Sequence, residues 1–291
     1  MKYHTSHHYS YLNPIPSWIF FFTLLRIFLG WPIVSHLFKF SPKKYQTCSA
    51  SSSIVCFFHG IPITYLTYTA MKMSGKFPEV LYNPLLLNLP LSEFEDDLKG
   101  LFSTVMSYSS GYMLYDLLFM IVNAFYYPVS EEPNFYDFIQ HHLGCILYMY
   151  SISYYSTGPL GLMLLIFLGE VTNAFQNIIN IAKTGIEQSE IKSFRYKICK
   201  KVEVTVQPFF GIFFAFIRLI LGPILVIYFG YVYAYHNVLI LTKKERDVPA
   251  SFGVIWVVAI LAMVVGSANF AVSNFERSMA ILREEGKGKR G

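Results

Sequence analysis

The sequence 135-FYDFIQHHLGCILYMY-150 places two adjacent histidines, His141 and His142, inside a predicted membrane span, residues 135–157. A charged side chain at the centre of a bilayer costs about 2.5–3.5 kcal/mol on insertion scales. A neutral imidazole costs less, but two in a row still need a partner or a function. Ionisable residues in such positions face the interior of the bundle or a water-filled cavity. We therefore expect the histidine pair to line a polar cavity between helices.

The composition around this stretch is that of a polytopic membrane protein. Of the 291 residues, 54% are hydrophobic and 14% are charged, whereas a typical soluble domain has about 25% charged residues. The net charge of +5 comes from lysines and arginines that cluster in predicted loops and in the tail. This pattern indicates membrane topology, and no nucleic-acid partner is expected.

Seven segments have roughly the 20 mainly apolar residues that cross a bilayer. They predict an all-α transmembrane helical bundle of about seven spans, at residues 17–38, 51–72, 101–122, 135–157, 158–182, 208–235 and 251–272. The Ser-Thr-Gly-Pro turn at residues 156–159 predicts a helical hairpin between the fourth and fifth spans. Residues 83–91 are apolar but short and contain two prolines, which predicts an interfacial loop.

The distribution of lysine and arginine predicts the orientation, because cytosolic loops are enriched in both. Residues 183–201 and the tail are the most basic regions and lie on the same predicted side. We therefore expect a lumenal N-terminus and a cytosolic C-terminus. The final residues, Lys287-Gly-Lys-Arg-Gly291, resemble a Lys-x-Lys-x-x retrieval signal of the endoplasmic reticulum. The alternative is a solvated basic tail near anionic lipid.

Other polar residues fall in the same predicted layer as the histidine pair. The helix rise of about 1.5 Å per residue places four ionisable residues about 8–12 Å from the cytosolic face: His59, Asp116, His141 and Glu170. Asn173 and Asn177 follow Glu170 on one face of its helix. This convergence favours one polar cavity. The alternative is that Asp116 and Glu170 make structural hydrogen bonds to histidines of neighbouring helices.

Two kinds of polar residue are expected to have no part in this site. Arg26 and Arg218 lie within spans, and we expect them to snorkel or to pair with carboxylates. The N-terminal histidines His4, His7 and His8 have no carboxylate beside them, so no metal site is expected there.

Three stretches resemble the TLC-domain family, which is named for TRAM, Lag and CLN-type members. SSGYMLYDLL at residues 109–118 resembles the family's Gly-Tyr-x-x-x-Asp span, which includes Tyr112 and Asp116. DFIQHH at residues 137–142 resembles its His-His span, and LGEVTNAF at residues 168–175 resembles the acidic span that follows. His59 also falls where many members have a histidine.

The resemblance implies a domain organisation and a set of site residues. The N-terminal tail, first span and basic loop would be residues 1–48, a six-helix TLC domain residues 49–277, and a basic tail residues 278–291. The family includes ceramide synthases, which need the histidine pair and acidic residues of the next span. The chain has Glu170 at one acidic position, while Asn173 and Asn177 stand near the place of a second aspartate. These differences favour the less characterised branch linked to lipid homeostasis.

Two functions follow from the resemblance and the polar layer. The first is lipid handling in the endomembrane system with no assigned reaction, where the cavity is lined by His59, Tyr112, Asn173 and Asn177. The second is an acyl-CoA-dependent acyltransferase, whose catalytic residues would be His141, His142, Glu170 and Asp116. Membrane lipids are the expected partners, acyl-CoA is a co-substrate only in the second case, and no cofactor is expected. A homodimer stays an open alternative. A proton-coupled transporter is less favoured because the sequence has no inverted repeat.

Overall fold

The computed structural model describes residues 12–41, 45–127, 135–243 and 250–288. These residues form no β-strand, which confirms the predicted all-α class. The chain folds into nine α-helices in the described part: α1 Ile15–Leu25, α2 Tyr45–Met73, α3 Asp96–Tyr126, α4 Phe135–Tyr155, α5 Pro159–Glu170, α6 Asn173–Glu187, α7 Phe194–Ala215, α8 Gly222–Lys243 and α9 Ala250–Gly288. Residues 1–11 and 289–291 lie outside the described residues, and so do the N-terminal histidines and most of the predicted retrieval signal.

Six helical stretches of the described chain are long and apolar enough to cross a membrane: Ile15–His36, Tyr45–Met73, Asp96–Tyr126, Pro159–Glu187, Phe194–Tyr235 and Gly253–Glu284. The predicted polytopic bundle is therefore confirmed. The helix α4, which carries the histidine pair, is not among the six. Its 21 residues would extend about 31 Å, so it has the length of a span. Its histidines, Gln140 and tyrosines lower its hydropathy.

Two predicted spans differ from the observed helices. The fifth was expected to be continuous, but it breaks after Glu170, and α6 begins at Asn173. The sixth was expected to begin at residue 208, but α7 begins at Phe194 and continues through a π-helical segment, Phe216–Leu221, into α8. Ser193 explains the early start, because its hydroxyl accepts the Tyr196 N–H as an N-cap. The basic residues 195–201 therefore lie on a helix and not in a loop.

The turn between α4 and α5 confirms the predicted hairpin. Gly158 has φ +68°, a left-handed conformation that glycine adopts without the steric cost of a Cβ. The predicted interfacial loop packs against this turn, since Gly158 N donates to Leu89 O at 3.1 Å and Leu91 N donates to Ser156 O at 2.8 Å. The segment between α2 and α3 forms three short 3₁₀ turns, and the second of them packs against α5 and α8: Glu79–Leu81, Pro84–Asn88 and Leu91–Glu93.

Polar contacts join α7 to α9. Ser278 Oγ donates to Gln207 O at 2.7 Å, and Gln207 Nε2 donates to Asn274 Oδ1 at 3.2 Å. Gly211 lies one turn further along α7, where an added Cβ would collide with Ser278 and Asn274. Small residues let membrane helices approach closely enough for such bonds.

A buried carboxylate adds a second connection between α7 and α9. Glu203 is 2% exposed; it accepts from Lys200 Nζ at 2.9 Å on its own helix and from Arg277 on α9. The helix α4 packs mainly on α3 and more loosely on α5 and α9. The space beside α4 is the candidate site.

Candidate functional site

A cavity of about 720 Å³ lies beside α4, between α2, α3, α6 and α9. Seven of the predicted site residues line it: Tyr112, Asp116, His141, His142, Glu170, Asn173 and Asn177. The eighth, His59, does not reach the cavity wall. It is fully buried behind Tyr112, and the two stacked rings have centroids 3.8 Å apart. The structure therefore brings the predicted residues together, with His59 behind the others.

His142 forms a close pair with a carboxylate on α3. Its Nε2 lies 3.0 Å from Asp116 Oδ2, and its Nδ1 lies 2.7 Å from the carbonyl oxygen of Phe138. A carbonyl oxygen can only accept, so Nδ1 carries a proton. Nε2 then faces Asp116, with which it can share a second proton. Both nitrogens of this 7% exposed ring are therefore engaged by the protein.

Glu170 lies at the junction of α5 and α6. It ends α5, Asn173 begins α6, and Asn173 Nδ2 donates to Glu170 Oε2 at 2.7 Å. His59 Nδ1 lies 3.6 Å from the same oxygen. Asn177 Nδ2 donates to Asn173 O at 2.7 Å and continues the polar face of α6. The carboxylate therefore has one partner three residues along its own chain segment and another on α2.

His141 faces a different neighbourhood from His142. Its Nε2 lies 3.6 Å from Cys145 Sγ, one turn along α4. It lines the large cavity and also a smaller one of about 150 Å³. The smaller cavity is walled largely by aliphatic side chains, which include Leu162, Leu165, Ile166, Leu225, Ile260 and Val264. Four polar side chains line both cavities: His141, Glu170, Asn173 and Arg218. They therefore lie at the boundary between the large cavity, which has polar and apolar walls, and the small, largely apolar one.

The two intramembrane arginines do not behave as expected. Arg26 is buried at 5% exposure, donates to Ser52 and to Cys48 O at 3.2 Å, and lies over the Phe119 ring at 4.3 Å. It neither snorkels nor forms an ion pair with a carboxylate of the described chain. Bonds to a hydroxyl and a carbonyl, with an aromatic face, satisfy the guanidinium instead.

Arg218 likewise has no carboxylate within ion-pair distance among the described residues. Its Nη2 donates to the carbonyl of Gly169 at 3.3 Å, and its guanidinium lies 5.2 Å from the Phe214 ring centroid. It sits on the π-helical segment Phe216–Leu221, a type of distortion that often occurs at functional sites. Arg218 was not among the predicted site residues, although a charge within a span is a signal for a functional residue.

Two further cavity residues, both cysteines, were not among the predicted site residues. Cys56 and Cys145 both line a cavity. For Cys145, the four-residue spacing after His141 was an available signal, because residues four apart are neighbours on a helix. No group of three His, Cys, Asp or Glu side chains in the described chain could hold a metal ion.

The fold and the cavity define a polytopic helical membrane protein with polar groups buried at its centre. The family model for the TLC domain matches residues 49–271, more than half of the chain. The protein therefore belongs to the TLC domain family, as the resemblance implied, and this family is generally linked to lipid metabolism and handling. Neither the curated proteins nor the solved structures contain a match. The histidine pair, Asp116 and Glu170 all lie within the matched segment.

Proposed function

We propose that this protein binds a membrane lipid or an acyl chain in the large cavity and acts in lipid homeostasis of the endomembrane system, with no assigned reaction. The observation that carries the proposal is the cavity of about 720 Å³. Ligand sites have volumes of about 300–1,000 Å³ and combine apolar walls with a few placed polar groups. The polar groups are described above, and the apolar wall includes Met120, Phe138, Phe214 and Phe270.

A route for lipid supports the proposal. On α9, the lining residues Ala262, Gly266 and Asn269 are exposed, and on α4 the lining residue Phe138 is 37% exposed. A Cβ added at Gly266 would meet no atom within 4 Å. The loose packing of α4 on α9 therefore leaves a lateral gap through which a chain could pass between the bilayer and the cavity.

The proposed setting is the membrane of the endoplasmic reticulum, with the N-terminus in the lumen and the C-terminus in the cytosol. The basic residues at the start of α7 and in the tail support this orientation, because cytosolic regions near span ends are rich in lysine and arginine. Membrane lipids are the proposed partners, and a homodimer is an open alternative that cross-linking in the membrane would test.

Acyl transfer from acyl-CoA is a second candidate, which the histidine–carboxylate geometry favours. Both nitrogens of His142 are engaged by Asp116 and Phe138, so His142 would position neighbouring groups and would not itself take a proton from the acceptor. His141 lines both cavities and would be the base that contacts the acceptor. In this candidate Asp116 and Glu170 position the imidazoles and balance the charge that develops on them.

Lipid analysis of the purified full-length protein tests the first candidate. The protein is reconstituted in nanodiscs, washed, and its retained lipids are measured by native mass spectrometry. Gly266 lines the cavity at its exposed side, so we expect the bulky side chain of Gly266→Leu to obstruct the cavity or its entrance and to abolish retention. Gly230→Leu is the matched control, since a Cβ there also meets nothing within 4 Å but the residue lines neither cavity. Equal retention by the two variants would contradict the proposal.

An assay of turnover separates the two candidates. Acyl-CoA is supplied with a panel of amine and lysolipid acceptors, and products are followed by mass spectrometry for the wild-type protein and His141→Ala. Turnover by the wild-type protein that disappears in His141→Ala would support acyl transfer and contradict lipid handling without a reaction. Lipid retention without turnover for any acceptor would exclude the enzyme and leave the first candidate standing.

A further inference from the structure

The guanidinium of Arg218 has more hydrogen-bonding capacity than the surrounding protein uses. A guanidinium has five N–H donors. The described residues supply one acceptor for it, the carbonyl of Gly169, and among these residues its buried Nε has no partner. The side chain lines both the large and the small cavity. Its unused donors therefore lie where a ligand in either cavity would meet them.

An unpaired cation inside a membrane protein is costly, and its cost falls when an anion binds. Charged side chains at this depth pair with one another or with backbone carbonyls. Arg26 has two acceptors, Ser52 and the Cys48 carbonyl, and the Phe119 ring. Arg218 has one acceptor, the Gly169 carbonyl, and the Phe214 ring, and no carboxylate of the described residues lies within ion-pair distance of it, since Glu170 is held by Asn173 and His59. The comparison between the two arginines points to an anion from outside the chain.

We propose that Arg218 binds the carboxylate of a single-chain lipid, a free fatty acid, within the cavity. This inference rests on the proposed lipid-binding function and adds the head group that the site selects. Planar guanidinium and carboxylate groups form two parallel N–H···O bonds, which gives the pair its strength and its geometric specificity. The π-helical segment Phe216–Leu221 holds this guanidinium at the wall that the two cavities share.

The charges of the wall favour a carboxylate over a phosphate. Among the described residues that line the two cavities, Arg218 is the sole lysine or arginine, whereas Asp116 and Glu170 both belong to the lining. A phosphate monoester carries nearly two negative charges at neutral pH. It would therefore meet repulsion from two carboxylates with one cation to offset it, while a fatty acid brings a single charge.

The sizes of the two cavities indicate which of them holds the acyl chain of the fatty acid. The small cavity, about 150 Å³, has the volume of an engineered apolar cavity that binds benzene, so it cannot hold a long acyl chain. The large cavity, about 720 Å³, is lined by Arg218, Met263 and Phe270 and also by Gly266, which is exposed. We infer that the carboxylate lies at Arg218 and that the chain follows the large cavity towards the gap between α4 and α9.

Binding of three probes with the same chain tests this proposal. Palmitic acid, methyl palmitate and hexadecanol compete with a fluorescent fatty acid for the full-length protein in nanodiscs. We expect palmitic acid to bind the wild-type protein about 10- to 100-fold more tightly than the other two, as hydrogen bonds to charged groups allow. Arg218→Gln should remove this preference and leave hexadecanol binding unchanged, which also shows that the variant is folded.

Control variants and ligands show whether the preference for palmitic acid depends on Arg218, on positive charge in general or on the carboxylate head group. Lys201→Gln removes an exposed cation from the same helical stretch and should leave the preference intact. Arg218→Lys keeps the charge but loses the planar fork, so it should retain part of the preference. Equal binding of palmitic acid and methyl palmitate by the wild-type protein would overturn the proposal and leave lipid handling in place. Tighter binding of lysophosphatidic acid than of palmitic acid would overturn the choice of carboxylate. Failure of every probe to bind would overturn the proposed function itself.

Discussion

Replacing Gly211 by alanine is expected to force α7 and α9 apart. A Cβ at this position would collide with the Ser278 hydroxyl and with the Asn274 backbone, whose carbonyl carbon would lie 3.0 Å away. Rotation of a side chain cannot relieve a collision with backbone, so α9 must shift. Overpacking of this kind costs about 1–3 kcal/mol.

The shift would also weaken hydrogen bonds between the two helices. Ser278 Oγ donates to Gln207 O at 2.7 Å, and Gln207 Nε2 donates to Asn274 Oδ1 at 3.2 Å. Interhelical hydrogen bonds in membranes average about 0.6 kcal/mol each. Loss of both, added to the overpacking, predicts a decrease of about 2–4 kcal/mol in the free energy of unfolding of Gly211→Ala.

Unfolding by SDS in mixed micelles, followed by tryptophan fluorescence, measures this decrease. Gly230→Ala on α8 is the control, because a Cβ there meets nothing within 4 Å. We expect its free energy of unfolding to stay within about 0.5 kcal/mol of the wild type. If Gly211→Ala were as stable as Gly230→Ala, the close packing of α7 on α9 would be refuted.

Three further substitutions test other contacts. Gly158→Ala should lower the free energy of unfolding by about 1–2 kcal/mol in the same titration, because φ is +68° there; an unchanged value would rule out the left-handed turn. Glu203→Ala should lower the free energy of unfolding by about 1–3 kcal/mol, because Arg277 loses its buried carboxylate partner. A thermal midpoint equal to that of the wild type would argue against this contact. Asp116→Ala should also lower the free energy of unfolding, by about 1–3 kcal/mol, because His142 Nε2 loses its partner. Asp116→Asn should recover part of this loss. Equal melting temperatures of the two variants would contradict the contact between Asp116 and His142.

The energetic cost of polar groups in hydrocarbon was enough to identify much of the candidate site from sequence. Asp116, His142 and Glu170 stood out because each is ionisable and lies within an apolar segment. Their predicted depth placed them in one layer, and the structure brings them to one cavity. The partners within that layer could not be predicted, because helix rotation decides whether His142 or His141 meets Asp116.

The parts of the fold that sequence did not predict depend on local breaks in helices. Residues 158–182 have the length and the apolar character of one span, so the break between α5 and α6 after Glu170 was not predicted. The π-helical segment Phe216–Leu221, which carries Arg218, also has no sequence signature. The basic residues 195–201 predicted a loop, but the Ser193 N-cap and the length of α7 place them on a helix.

The binding of a lipid inside the bundle is the central claim, and photo-crosslinking tests it most directly. A palmitate analogue with a diazirine in its chain is irradiated with the full-length protein in nanodiscs, and modified peptides are identified by mass spectrometry. The account predicts adducts on the cavity wall, at residues 262–273 of α9 and 135–144 of α4, that excess palmitate removes. Adducts confined to exposed α8 residues such as Ile227 and Tyr231, unaffected by excess palmitate, would contradict it.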